Sequence, residues 1–259
     1  MSTLSDRLKG KVALVTGSGS GIGKGCALMF ARHGARVMGC DIQPASAEET
    51  LTIARHEKLL FESVHPCDLT VPTDVERLMK STEERYGGID ILVNAAAFGA
   101  FAWIEDMDYV SHWKATLVGE LDIVFLACKA AWPYLIKRGG GSIINFASAN
   151  AYMALPGSPA LAHCAGKGGV LAMTRQLALE GAPHQIRANT ISPGMIVTGA
   201  TKPVLEFVPG FAENVLGKMM LKRLGQPEDV AWCATYLASD ESSWVTGADI
   251  SVDGGATAL

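Results

Sequence analysis

At 259 residues, with apolar side chains at 49%, charged ones at 19% and a net charge of −4, the chain is long enough for one large α/β domain. It gives no reason to expect nucleic acid or an anionic membrane as a partner. The six cysteines (26, 40, 67, 128, 164, 233) stand far apart without a CxxC pair, a pattern of reduced thiols that indicates neither a disulfide framework nor a metal site. The opening MSTLSDRLKGKV lacks the apolar run of a secretory leader, and no apolar stretch reaches the roughly 18 residues of a membrane span, so a cytoplasmic location is expected.

Short β-rich runs alternate with longer helical ones. KVALVTG (11–17) reads as a strand, followed by a helix from about Ile22 to His33. RVMGCD (36–41) is a second strand before a polar helix near 45–57, and ESVHPCD (62–68) a third before a helix from about Pro72 to Tyr86. DILVNAA (90–96) leads into a long helix within 108–137, and GSIINFAS (141–148) into one near 160–182. IRANTISPG (186–194) is the sixth strand, and a helix near 227–238 precedes the last, ADISVDG (248–254). This alternation predicts βαβ units and a parallel sheet covered on both faces, and the β-branched strands agree with burial on both sides. No linker-like composition interrupts it, so residues 1–259 read as a single domain. Residues 195–224, with several Gly and Pro, break the rhythm and read as an irregular lid.

TGSGSGIG (16–23) lies between the first strand and the first helix. Its glycines allow a tight turn and close approach to a pyrophosphate, whose charge the helix N-terminus favours. Taken alone a glycine cluster also suits an ordinary turn; the strand before it and the helix after it favour a dinucleotide. Asp41 ends the second strand, 18 residues beyond Gly23. A carboxylate there accepts hydrogen bonds from ribose hydroxyls and repels a 2′-phosphate, which favours NAD(H) over NADP(H).

Further motifs extend this reading. They are CDLT (67–70), NAAA (94–97), SPGMIVT (192–198) and GQPEDVAWCATYLASDESSWVTGADISVDGG (225–255). In this order the chain resembles the short-chain dehydrogenase/reductase family over essentially its whole length. The resemblance implies a single-domain Rossmann-type sheet of order 3-2-1-4-5-6-7, a small-molecule substrate and a homotetramer. It implies cofactor contacts from Gly17, Ser18, Gly19, Ser20, Gly21, Ile22 and Gly23 in the turn. Further contacts follow from Asp41 and Ile42, Asp68 and Leu69, Asn94, Ala95 and Ala96, Lys167, and Pro193, Gly194, Ile196 and Thr198.

The family's chemistry uses Ser, Tyr, Lys and Asn. Ser and Tyr contact the substrate oxygen, Lys lies one helical turn after Tyr, and Asn holds a relay water. Ser148 and Lys167 match that pattern. The tyrosine position holds His163, and the asparagine position, seven residues after Trp113, holds Glu120. An imidazole, with an ordinary pKa of about 6.5, suits proton transfer in either direction at neutral pH. The leading expectation is therefore an NAD(H)-dependent alcohol/ketone oxidoreductase with His163 as general acid/base and Glu120 as orienting or relay partner, facing either His163 or Lys167. A second reading places the proton on Tyr152, 15 residues before Lys167, as in the dienoyl-CoA reductase branch, and predicts C=C reduction. A third, motivated by the paired departure at 120 and 163, is an NAD-binding regulatory subunit without redox turnover. Trp103, Trp113 and Trp132 read as packing or subunit contact, and Met195, Met219 and Met220 as apolar walls of a substrate pocket.

Overall fold

The computed structural model describes residues 6–259; the first five residues of the opening stretch lie outside them. In chain order the elements are β1 (Val12–Thr16), α1 (Gly21–Arg32), β2 (Arg36–Cys40), α2 (Pro44–His56), β3 (Phe61–Val64), α3 (Pro72–Tyr86) and β4 (Ile91–Asn94). There follow α4 (Ala115–Leu117), α5 (Ile123–Lys137), β5 (Gly141–Phe146), α6 (Leu161–Gly181) and β6 (Ile186–Pro193). The chain ends with α7 (Lys202–Phe207), α8 (Phe211–Gly217), α9 (Pro227–Ala238) and β7 (Asp249–Val252). The strands form one parallel sheet of order β3-β2-β1-β4-β5-β6-β7.

Both faces of the sheet are covered because strand side chains alternate. On β1, Ala13 and Val15 join a core with Phe30 of α1, Leu51 of α2 and Val230 of α9. Leu14, between them, points the other way, into a core with Leu78 of α3, Cys128 of α5 and Val170 of α6. All five β1 residues are buried. Truncating Leu14 or Leu92, both fully buried, to alanine would cost about 2–5 kcal/mol.

Several boundaries differ from the sequence reading. The third strand stops at Val64, short of the expected 68, because the chain leaves the sheet through Pro66, which has no amide to donate. Residues 195–224 are not irregular throughout: α7 and α8 lie within them. Phe211, Val215 and Met219 form a small separate core there, with Leu155 and Met195 packed against it. This is why six- and seven-residue helices hold without strong periodicity of their own. The long fourth helical segment is also interrupted, with π-type turns over Tyr109–Lys114 and Val118–Asp122. Among the described residues, no helix is long and apolar enough to cross a membrane, and no group of three or more His, Cys, Asp or Glu side chains could hold a metal ion.

Candidate active site

At the C-terminal edge of the strands a groove of about 380 Å³ opens between β1, β2 and β4. The glycine turn forms its floor for steric reasons. A Cβ on Gly23 would come 2.1 Å from the Gly17 carbonyl oxygen, and one on Gly17 would come 2.8 Å from Ala96 Cα. Gly17 and Gly21 have φ of 65° and 50°, a region that favours glycine. Ser20, at the head of α1, makes no side-chain cap, so the first-turn amides remain available to an anion. The Thr16 hydroxyl accepts from Ala95 N–H and Ala96 N–H at 3.0 and 3.1 Å, which fixes the opposite wall.

Gly17, Ser20, Gly21, Ile22, Gly23, Asp41, Ile42, Leu69, Ala95, Ala96 and Thr198 line this groove. Gln43, Phe98, Ile123 and Ala200 line it too, although nothing local in the sequence marks them, as does Ala97 at the end of NAAA. Asp41 holds the turn as well as facing the groove: it accepts from Gly19 N–H and Gln43 N–H, both at 2.9 Å.

Other expected cofactor residues are placed differently. Ser18 is buried and donates its hydroxyl to the Cys40 carbonyl at 3.4 Å. Asn94 sits opposite Asn145 in the β4–β5 register and donates to it at 2.8 Å, so its amide faces the core. Asp68 accepts from the Thr70 amide and hydroxyl at 2.9 and 2.7 Å, closing its own turn. Pro193 ends β6, while Gly194 and Ile196 line a second cavity of about 450 Å³, walled by Met219, Met220 and Asp253.

The chemical residues converge. Ser148 follows β5, His163 lies in the first turn of α6, Lys167 one turn later, and Glu120 in the π-type turn preceding α5. His163 Nδ1 lies 2.7 and 3.0 Å from the two Glu120 carboxylate oxygens, and Nε2 lies 3.3 Å from Ser148 Oγ. The carboxylate can only accept, so Nδ1 carries the proton, and in the neutral ring Nε2 is left free to accept from Ser148. Asn150 N–H donates to Ser148 Oγ at 3.1 Å. The Phe101 ring stands 5.7 Å from the imidazole, centre to centre. One loop therefore walls the groove with residues 95–98 and covers His163 with Phe101, which joins the two sites.

Glu120 is only 4% exposed, and two glycines make room for it. A Cβ on Gly99 or Gly166 would come 3.2 Å from one or other carboxylate oxygen. Gly119 lets the 95–99 loop cross the helix, since a Cβ there would come 2.2 Å from the Phe98 carbonyl oxygen. π-type turns recur where a helix must present a functional side chain, and this one carries Glu120. Lys167 is buried and donates to the Phe146 carbonyl at 3.2 Å. Burial pushes its ammonium pKa below the ordinary range, and the Glu120 charge opposes that shift.

Tyr152 is not part of this group. Half of it is exposed, and its hydroxyl donates to Asp249 at 3.0 Å. Desolvation, then that hydrogen bond and the Asp249 charge, raise its phenol pKa, the wrong direction for easy proton exchange.

Comparison with known proteins agrees with this architecture. Residues 17–257 match the family described as enoyl-(acyl carrier protein) reductase. The chain is 40% identical over 253 residues to the 3-oxoacyl-(acyl-carrier-protein) reductase FabG of Thermotoga maritima, covering 96% of this chain and 98% of that protein. It is 35% identical over 247 residues to the NAD-dependent glycerol dehydrogenase of Listeria innocua serovar 6a, covering 95% and 94%. Among solved structures, 7α-hydroxysteroid dehydrogenase complexed with NADH and 7-oxo glycochenodeoxycholic acid superposes with a TM-score of 0.90 at 31% identity, over 97% of this chain and 96% of that one. A glycine turn on a seven-stranded parallel sheet, with likenesses that run nearly end to end, makes this chain a member of the short-chain dehydrogenase/reductase family of oxidoreductases.

Proposed function

We propose that the chain interconverts a secondary alcohol and a ketone on a partly apolar small molecule, with NAD(H) as hydride carrier and His163 as the group that moves the proton. The observation that carries this reading is the continuous line Glu120–His163–Ser148, with contacts of 2.7 and 3.3 Å. In ketone reduction the His163 imidazolium gives its Nε2 proton to the carbonyl oxygen while the Ser148 hydroxyl hydrogen-bonds the same atom. In alcohol oxidation Nε2 takes the hydroxyl proton. Glu120 fixes the ring orientation and tautomer and balances the imidazolium charge in both directions. When bound, the nicotinamide supplies or accepts the hydride.

The residues present fit that cofactor. The cradle at Gly17 and Gly23 has no room for side chains, and the uncapped start of α1 suits a pyrophosphate. Asp41, exposed to the groove, supports NAD(H) over NADP(H) by repelling a 2′-phosphate. Lys167, one turn beyond His163, is the residue that would hold the nicotinamide ribose. Exposed Trp103, Ile104, Tyr109, Val110 and Phe125 near the long helical segment support a homo-oligomer, a tetramer by family resemblance.

A screen of NADH oxidation and NAD reduction across ketones, secondary alcohols and enoyl thioesters tests the proposal. Turnover on ketones and alcohols is the expected result. Turnover confined to enoyl thioesters would return the reading to Tyr152, and tight NADH binding without turnover on any substrate would point to a regulatory subunit.

A further inference from the structure

Beyond hydride transfer, the arrangement around Ser148 matches what acyl transfer requires: a hydroxyl nucleophile, a base within hydrogen-bond reach, and a third group orienting the base. Ser148 Oγ lies 3.3 Å from His163 Nε2, and His163 Nδ1 lies 2.7 Å from the Glu120 carboxylate. The Glu120 carboxylate is buried, while Ser148 and His163 are half-buried, so the nucleophile can be reached while its base is held still. Asn150 N–H, donating to Oγ at 3.1 Å, stabilises the negative charge that develops as the hydroxyl gives up its proton. The Phe101 ring beside His163 offers an apolar wall to an acyl or aryl group.

We propose that Ser148 is an acyl acceptor and that this site hydrolyses activated aryl esters of short carboxylic acids without any nicotinamide. This activity does not rest on the redox reading. In the first half, Ser148 Oγ bonds to the ester carbonyl carbon, its proton passes to His163 Nε2, and the carbonyl–aryloxide bond breaks. The aryloxide leaves and the proton is released to it or to solvent. In the second half, water attacks the acyl-serine carbon, His163 takes its proton, and the Ser148–acyl bond breaks with that proton returning to Oγ. The sum is ester plus water giving acid plus phenol, with no change of oxidation state. Aryl esters suit this site because a stable aryloxide asks least of oxyanion stabilisation.

Cys164, adjacent to His163, is the competing nucleophile. Burial raises its thiol pKa, so it rests as the less reactive thiol. The full-length protein is incubated with p-nitrophenyl acetate in the absence of nicotinamide. Release of p-nitrophenolate is followed, and the acetylated residue is located by peptide mass mapping. Acetyl-Ser148 and continued turnover are expected. Ser148→Ala should abolish the modification, His163→Ala should slow acylation by about 10²–10⁴-fold, and Cys164→Ser should leave it unchanged. Acetyl groups found only on Cys164 or lysines of the wild-type protein, with Ser148 unmodified, would overturn the proposal even if Ser148→Ala failed to fold. So would wild-type release from a folded Ser148→Ala variant. The assay contains no hydride carrier, so its outcome is independent of the alcohol/ketone screen.

Discussion

Glu120 and His163 meet at 2.7 Å although 43 residues separate them in the chain. The Glu120 carboxylate has room because Gly99 and Gly166 carry no Cβ, which would come 3.2 Å from one or other of its oxygens. Glu120 and His163 are thus one structural unit, in which a buried acid holds an imidazole with its free nitrogen toward Ser148.

Replacing Glu120 by Gln keeps the shape and removes the charge. The amide can present either its oxygen or its nitrogen to Nδ1, so the tautomer is no longer fixed and the imidazolium loses its counter-charge. Turnover should fall by up to about 10⁴-fold, with NADH binding retained in a fluorescence titration. An unchanged kcat would remove Glu120 from the mechanism.

Gly166→Ala separates stability from activity. Within α6 alanine is intrinsically better than glycine by about 1 kcal/mol, yet the new methyl stands 3.2 Å from a Glu120 oxygen and displaces the carboxylate. Thermal melting should show a folded protein, and kcat should drop. Full activity would mean that the carboxylate position is not critical.

Asp41 supports both the glycine turn and the proposed cofactor preference. Asp41→Ala should weaken NADH by about tenfold, the scale of a hydrogen bond to a charged group, and should narrow its advantage over NADPH. Side-by-side titration of the two nucleotides measures this. An unaltered NADH/NADPH ratio would show that discrimination lies elsewhere.

The start of α9 is held by a charged pair. Asp229 accepts from Gln226 N–H at 2.8 Å and pairs with Arg223 at 2.7 and 2.8 Å. The Arg223 hydrogen bonds, then the Gln226 amide, lower its carboxyl pKa to about 2 from an ordinary 3.8. A folded-state pKa below the unfolded one means that the contribution is complete above pH 3.8 and fades as pH falls through about 2. Asp229→Ala should cost about 1 kcal/mol in urea unfolding at neutral pH, with a smaller difference near the acid limit.

The fold was legible because the strand and helix periods are strong: α3 over 72–86 and α9 over 227–238 stand where the sequence places them. Ser148, His163 and Glu120 come together in space as their fixed offsets from the motifs suggest, with Lys167 one turn beyond His163. What escaped depends on long-range pairing. The Tyr152 hydroxyl meets Asp249, 97 residues away, and Asn94 turns inward because Asn145 lies opposite it in the sheet. The helices α7 and α8 were missed because their packing partners include distant Leu155 and Ala256. The glycines around Glu120 carry no pattern of their own, and their function appears only when the carboxylate is in place.

The role of His163 in moving the proton is tested by steady-state turnover of His163→Ala on a ketone the wild type reduces, beside an NADH titration of the same protein. Unchanged NADH affinity and turnover lowered by about 10²–10⁴-fold are expected. Turnover equal to wild type, with NADH still bound, would contradict it.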